Sequence, residues 1–311
     1  MADAPAASPA SAGQTGAGLP SGEAGSRRSR RARAYAALLP FFIYVSIFLF
    51  LPTLIVAVGA FQDANGNPTL ANVQAVLNQP TRIEAFSRSF WLSIVTAIAG
   101  ALIGALLAWA VAAGKPDGVV RQLTVSISGV LAQFGGVMLA FGFVATFGLK
   151  ALVPLLLHDV FGIDVLSDAS WLYTMTGLAV VYTYFQIPLM LIVFLPAIEG
   201  LRKEWREASA SLGGSSWDYW RNVGGPILAP SFLGAVLLLF TNSFSAYATA
   251  AALVSQGSPI VTLQIRNALT SETVLGQENI GKALALGMIL IVALVMSLYA
   301  LLQRRTSKWL R

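Results

Sequence analysis

The chain has 311 residues, of which 56% are hydrophobic and only 11% charged, with a mean hydropathy of +0.70 and a formal net charge of +6. That composition excludes an ordinary soluble globular domain. Cysteine is absent and histidine occurs once, which excludes disulfides, zinc–cysteine sites and thiol catalysis and leaves no triad to assemble around His158, expected as a solvated loop or interface residue.

Residues 1–34 are rich in Ala, Gly, Ser and Pro, hold no aromatic residue and end in the basic run Arg27–Arg33. They cannot bury enough apolar area to fold and are expected as a disordered cytoplasmic tail. Arg27-Arg28 ahead of an apolar run imitates a twin-arginine or secretory signal, but the run Tyr35–Phe61 is too long for a signal core. An uncleaved first membrane helix is expected instead. Six stretches lack Asp, Glu, Lys and Arg altogether: about 35–62, 89–114, 122–149, 172–198, 222–265 and 283–303. Each meets the roughly 20 residues needed to cross about 30 Å of hydrocarbon. The predicted fold class is therefore all-α, a polytopic membrane protein with six transmembrane helices over 35–311 and an insert at 199–226.

The connections are short. The first external loop, about 62–88, opens with the turn cluster Asp63–Pro68 and then predicts a short surface helix over Asn72–Leu77. Gly114–Gly118 makes a tight inside turn. The second external loop, about 149–171, predicts a short interfacial helix over Leu152–Leu157, and the third runs over about 256–282. Nothing outside the membrane is long enough to bury an independent core.

With the N-terminus in the cytoplasm, alternation of the spans leaves 15 Lys and Arg inside and 5 outside. That bias predicts both termini cytoplasmic in a cell (inner) membrane. The basic tail alone would suggest nucleic acid. Beside a membrane helix it reads as a topology signal, so membrane lipid is the expected partner and nucleic acid is not.

The insert carries the densest internal cluster of basic charge. It contains Glu207-Ala208-Ser209-Ala210-Ser211-Leu212-Gly213 and, after nine residues, Val223-Gly224-Gly225-Pro226. A first helix is predicted over Leu201–Leu212, stopped by Gly213-Gly214. A second, capped by Ser215 or Ser216, is predicted to run to Pro226, with Trp217, Trp220 and Arg221 sharing one face. A rigid helix pair between two spans can transmit a push from a soluble motor, and aromatic and Arg side chains suit such an interface. An amphipathic hairpin lying on the inner leaflet, anchored by Trp217 and Trp220, is the competing reading.

This spacing resembles the membrane-spanning permease subunits of binding-protein-dependent ABC importers, whose signature is Glu-Ala-Ala, three residues, Gly, nine residues, then Ile-x-Leu-Pro. Glu207, Ala208, Gly213 and Pro226 match, Val223 stands at the Ile place, and the chain departs at Ser209 (family Ala) and Gly225 (family Leu). The resemblance implies that the insert docks on an ATP-hydrolysing subunit, with Glu207, Ala208, Gly213, Trp217, Trp220 and Pro226 as coupling residues. It also implies ATP-binding subunits, a second permease subunit and an external substrate-binding protein as partners, no cofactor, and no hydrolysis on this chain. The segment Ala246–Ala250 looks most like the spermidine/putrescine type, a plan shared with iron, thiamine, sulfate and phosphonate permeases. External loops carry seven carboxylates against five basic residues, a weak acid bias that fits a cationic substrate.

Gly276–Lys282 nearly matches a phosphate-binding loop, but Ala283 replaces the required Ser or Thr and no strand precedes it, so it reads as a chance match. Polar groups inside spans usually face other helices or a cavity. Gln133 within the third span, Gln186 ahead of Pro188 in the fourth, and Asn242 and Tyr247 in the fifth are the candidates for a translocation path, with ordinary interhelical hydrogen bonding the alternative for each. Gly100 and Gly104 read as a close-packing pair. No charged residue lies inside a span, which argues against a proton- or sodium-driven carrier. A channel remains open but leaves the insert unexplained, and a membrane scaffold without transport is the third class.

Overall fold

The computed structural model describes residues 38–115, 117–148, 151–162, 169–254, 259–270 and 277–306. The predicted tail 1–34 lies outside them, as do Asp164, Asp168, Glu272, Gly276, Lys308 and Arg311. Helix is the regular structure throughout the described residues, with one isolated antiparallel bridge between Gln62 and Pro68. Six helices are long and apolar enough to cross a membrane.

The chain divides into two units at Ile55/Val56. The described part of the first belongs to α1 (Leu38–Gly59), which contains a π turn at Ser46–Phe50. Its large apolar side chains from Leu38 to Leu54 are exposed, as a helix bathed in lipid requires, and Thr53 satisfies its hydroxyl on the Leu49 carbonyl.

The second unit continues with α2 (Ala71–Asn78), the short helix expected in the first loop. The Asp63–Pro68 turn before it is held by Asp63, whose Oδ1 accepts from the Asn65 and Asn67 amides at 2.8 Å each. Buried Asn72 donates to the Ala60 and Gln62 carbonyls, and Asn279 donates to Gln62 and Asp63. These bonds pin the loop at one end of the bundle.

Two long helices form the centre: α3 (Pro80–Ala112) and α7 (Met175–Glu199). α3 lays Ala97, Gly100, Ala101, Gly104 and Ala108 along one buried stripe. A Cβ added to Gly100 would meet the Gln186 Cβ at 2.4 Å, and one on Gly104 would meet the Met190 Cβ at 2.5 Å and the Ile187 carbonyl at 2.6 Å. The small-residue pair is therefore a packing device that brings two backbones together where no hydrophobic effect drives helices into contact. Met190, Leu191, Phe194 and Leu239 fill the core beside it.

The third span differs from its expectation. The stretch 122–149 is not one helix but two, α4 (Val119–Gln133) and α5 (Gly136–Phe147), broken at Phe134-Gly135. Gly136 has φ +67°, a left-handed conformation that glycine adopts without strain. α4 is about 22 Å long, too short to cross on its own. α5 begins at Gly136, and α6 (Leu152–Phe161), which holds the short helix expected in the second loop, comes after it. Gln133 accordingly sits at a helix end, exposed, rather than mid-span.

The insert follows as α8 (Lys203–Ser211) and the start of α9 (Ser216–Ser245). Here too one boundary is corrected. Pro226 does not end the second insert helix, because that helix continues through a π turn at Trp220–Gly224 directly into the fifth span. Pro226 falls just after the π segment, where the hydrogen-bond ladder is already irregular. The fifth span ends earlier than expected, at Ser245, and α10 (Ala248–Leu253) and α11 (Val261–Thr270) follow it. Last comes α12 (Gln277–Thr306), packed on α11 and α2.

Candidate functional site

Two places gather the residues that sequence reading singled out. The first is the insert. α8 carries no buried residue, so Glu207 and Ala208 are exposed on it. Gly213 ends it with φ +81°, and the amides of Gly213 and Gly214 cap the Ala210 and Ser209 carbonyls at 2.9 Å. A reciprocal cap starts the next helix. The Ser215 hydroxyl accepts from the Asp218 amide while the Asp218 carboxylate accepts from the Ser215 amide and hydroxyl. Those Ser215 donors hold the Asp218 carboxyl below its usual range. Two rigid helix ends thus flank a two-glycine corner.

At that corner Leu212 is 89% and Trp217 71% exposed. Such large apolar groups on a polar hairpin form an unpartnered tip. Trp220 does not join Trp217 there. Its ring packs edge-on against buried Tyr219, 5.5 Å between centroids, and turns toward the membrane core. The π turn explains the departure at Gly225. Its amide bonds the Trp220 carbonyl five residues back, and a Cβ at 225 would lie 2.5 Å from that oxygen, so a leucine does not fit. Sequence reading treated Gly225 as a weakened match; the single signal available was the Gly224-Gly225 pair itself.

The second place is a cavity of about 290 Å³ where helix breaks meet. Gly135 and Gly136 approach from the α4–α5 break, Asn242 and Ser245 from the end of α9, and Tyr247 and Thr249 from the step into α10. At each break a side chain from elsewhere satisfies one freed carbonyl. The Gly136 carbonyl accepts from the Thr249 hydroxyl, and the Ala246 carbonyl from the Tyr182 hydroxyl at 2.8 Å. Irregular backbone at membrane depth is tolerated where it lines a cavity in this way. Its lining mixes the polar side chains of Asn242, Ser245, Tyr247 and Thr249 with Ala, Gly and Phe, and carries no charged side chain.

Asn242 and Tyr247 are therefore brought together, and Gln133 lies exposed one residue from the cavity-lining Ala132. Gln186 is not part of this lining. It is wholly buried beneath α3 and α9, its Nε2 donating to the Leu239 carbonyl at 2.9 Å, its Oε1 without a partner. Thr96 and Ser243, which sequence reading did not pair, share a buried hydrogen bond of 2.9 Å on the same seam. Among the described residues no group of three or more His, Cys, Asp or Glu could hold a metal ion.

A family model described as the binding-protein-dependent transport system inner membrane component matches residues 100–308, about two thirds of the chain. The chain belongs to this family. Proteins similar to it include a probable starch degradation products transport system permease protein, AmyD, of Thermoanaerobacterium thermosulfurigenes, 29% identical over 44% of this chain and 50% of that one. The sulfate transport system permease protein CysT of Escherichia coli K12 is 32% identical over 26% of this chain and 29% of its own. The ferric transport system permease protein FbpB of Actinobacillus pleuropneumoniae is 24% identical over 67% and 30%. The matched stretch thus spans about half the length of the first relative and under a third of the others. The fold is also that of a chain in the crystal structure of a bacterial ABC transporter involved in import of the acidic polysaccharide alginate, with a TM-score of 0.70 at 16% identity, over 91% of this chain and 98% of that one. As a member of the inner membrane component family with six apolar helices, the chain is a multi-pass inner membrane protein.

Proposed function

We propose that the chain is the permease subunit of an ATP-driven importer of a small solute, working with ATP-binding subunits, a second permease subunit and an external substrate-binding protein. The observation that carries this reading is the insert, whose motif residues Glu207, Ala208 and Gly213 stand on an exposed, doubly capped hairpin ending in Leu212 and Trp217. Continuity of the second insert helix with the fifth span gives a mechanical route. A displacement of the hairpin by a motor subunit is delivered along α9 to Asn242, and so to the cavity at the helix breaks, without a loop to absorb it. ATP hydrolysis belongs to the partner in this scheme. Both chain termini, and the insert, face the cytoplasm.

For the solute, a polyamine is supported by the resemblance at Ala246–Ala250 and by the aromatic faces of Tyr247 and Phe185 at the cavity, which suit a cation. A saccharide is the second reading, favoured by the uncharged polar lining and by the relative named for starch degradation products. Uptake into vesicles holding the chain with its partners tests both. ATP-dependent uptake that is lost in Glu207→Ala and Gly213→Asp, with membrane insertion intact, upholds coupling through the insert, and labelled spermidine against maltodextrin decides the solute. Uptake that survives both changes, or proceeds without ATP, overturns the reading.

A further inference from the structure

Behind its exposed tip the insert has a second face. A cavity of about 610 Å³ opens between α8 and the membrane-proximal ends of α3, α4 and α7. Four cations line it, Arg121, Arg202, Lys203 and Arg206, against the single carboxylate of Glu199. Arg121 is already bonded to Glu199. Among the described ion pairs none involves the other three, although the Arg202 guanidinium stacks over Trp205 at 5.9 Å. The three are exposed to the cavity, and like charge gathered around one concave surface makes a field that attracts an anion.

The remaining wall is apolar. Trp109, Ile198 and Leu201 line the membrane side, and Trp109, 53% exposed, stands one turn before the end of α3 at Ala112. Since α7 ends at Glu199 beside it, the cavity sits where two spans leave the hydrocarbon, the depth at which Trp side chains anchor helices. A free anion has no use for the apolar half of such a wall, whereas an amphipathic one uses both halves. We propose that this cavity binds the phosphodiester headgroup of an acidic membrane lipid. Arg202, Lys203 and Arg206 face the phosphate, and the wall of Trp109, Ile198 and Leu201 receives the start of the acyl chains. Basic pockets between membrane helices recognise acidic lipids through this combination. The inference does not depend on the transport reading, because it needs no partner subunit.

The full chain in nanodiscs tests it. Wild type is expected to melt higher in phosphatidylglycerol than in phosphatidylcholine, and R202Q/K203Q/R206Q to lose that difference. Arg266→Gln, which removes one positive charge on α11 away from the cavity, should keep it. In detergent, native mass spectrometry with short-chain phosphatidylglycerol should give about a hundredfold weaker affinity in the triple variant, at roughly 1 kcal/mol for each lost cation. K203R/R206K, which retains the charge, should bind as wild type does. If the triple variant does not fold, Arg206→Gln alone must weaken binding measurably. An acidic-lipid preference that survives the triple variant, or falls equally in Arg266→Gln, overturns the proposal. So does inorganic phosphate that reproduces the stabilisation at matched concentration, since the site would then take a soluble anion.

Discussion

Gly100 and Gln186 face each other across the α3–α7 seam so closely that a Cβ on the glycine would stand 2.4 Å from the glutamine Cβ. One turn on, Gly104 repeats the contact against Met190 and the Ile187 carbonyl, where backbone cannot move aside. Gly104→Ala is therefore expected to destabilise the fold by about 1–3 kcal/mol through overpacking, and Gly104→Leu to prevent stable insertion. Thermal melting in detergent checks this. A Gly104→Ala variant as stable as wild type would mean that the seam is looser than these distances.

Much of this architecture was legible from charge-free runs, because excluding charge from hydrocarbon is a strong constraint that local sequence must obey. The same rule hid the helix ends. α3 begins at Pro80 and α12 at Gln277, several residues before the charge-free runs at 89 and 283, since polar first turns such as those holding Arg82, Glu84 and Lys282 stay helical in the headgroup region. It also hid the breaks. Phe134–Gly136 and Ala246-Tyr247 interrupt apolar stretches without any charge, and only a partner elsewhere in the chain, Thr249 for one and Tyr182 for the other, makes an open backbone stable there. Gln186 illustrates the limit for single residues. Its polarity marked it for the path, while a glycine on another helix, far away in sequence, buries it.

The π turn at Trp220–Gly224 yields a second prediction. Gly225→Leu restores the residue that the family motif carries, yet the leucine Cβ would strike the Trp220 carbonyl oxygen. Relief requires the π turn to revert to α-helix, rotating the insert by about 100° against the fifth span. Lower melting temperature and altered emission from Trp217 and Trp220 are expected; an unchanged spectrum with wild-type stability would contradict the π geometry.

The cap at Ser215 gives a pH dependence. Hydrogen bonds from Ser215 hold the Asp218 carboxyl below 3.8, its ordinary value. A depressed carboxylate contributes stability that is fully present above the unfolded value and is lost as pH falls through the folded one. Hydrogen exchange at the Ser215 and Asp218 amides should therefore be slow and constant from neutrality down to about pH 4, after correction for the intrinsic rate, and accelerate below it. Asp218→Asn should abolish the acid transition, and Ser215→Ala should cost about 1 kcal/mol of local stability at neutral pH. A transition that persists in Asp218→Asn would assign it to another group.

The last prediction separates path from packing. Asn242 and Tyr247 line the cavity at the helix breaks and are exposed to it, whereas Gln186 lies behind, filling the seam with one amide bond made and one acceptor unmet. Asn242→Ala and Tyr247→Ala should leave melting temperature nearly unchanged, since each removes exposed surface, yet lower the uptake rate or raise KM for the solute by about tenfold, the scale of one lost hydrogen bond or aromatic contact in a binding site. Gln186→Leu should differ from them in uptake. It loses the bond to the Leu239 carbonyl but also removes the unpaired Oε1, so the net stability change is small, and transport should persist. Gln186→Glu would have to take up a proton to stay buried, so that variant should lose stability as pH rises. Measuring melting and uptake on the same preparations decides between the roles. If Gln186→Leu abolishes uptake at unchanged stability while Asn242→Ala does not, the path runs along the α3–α7 seam and not through the break.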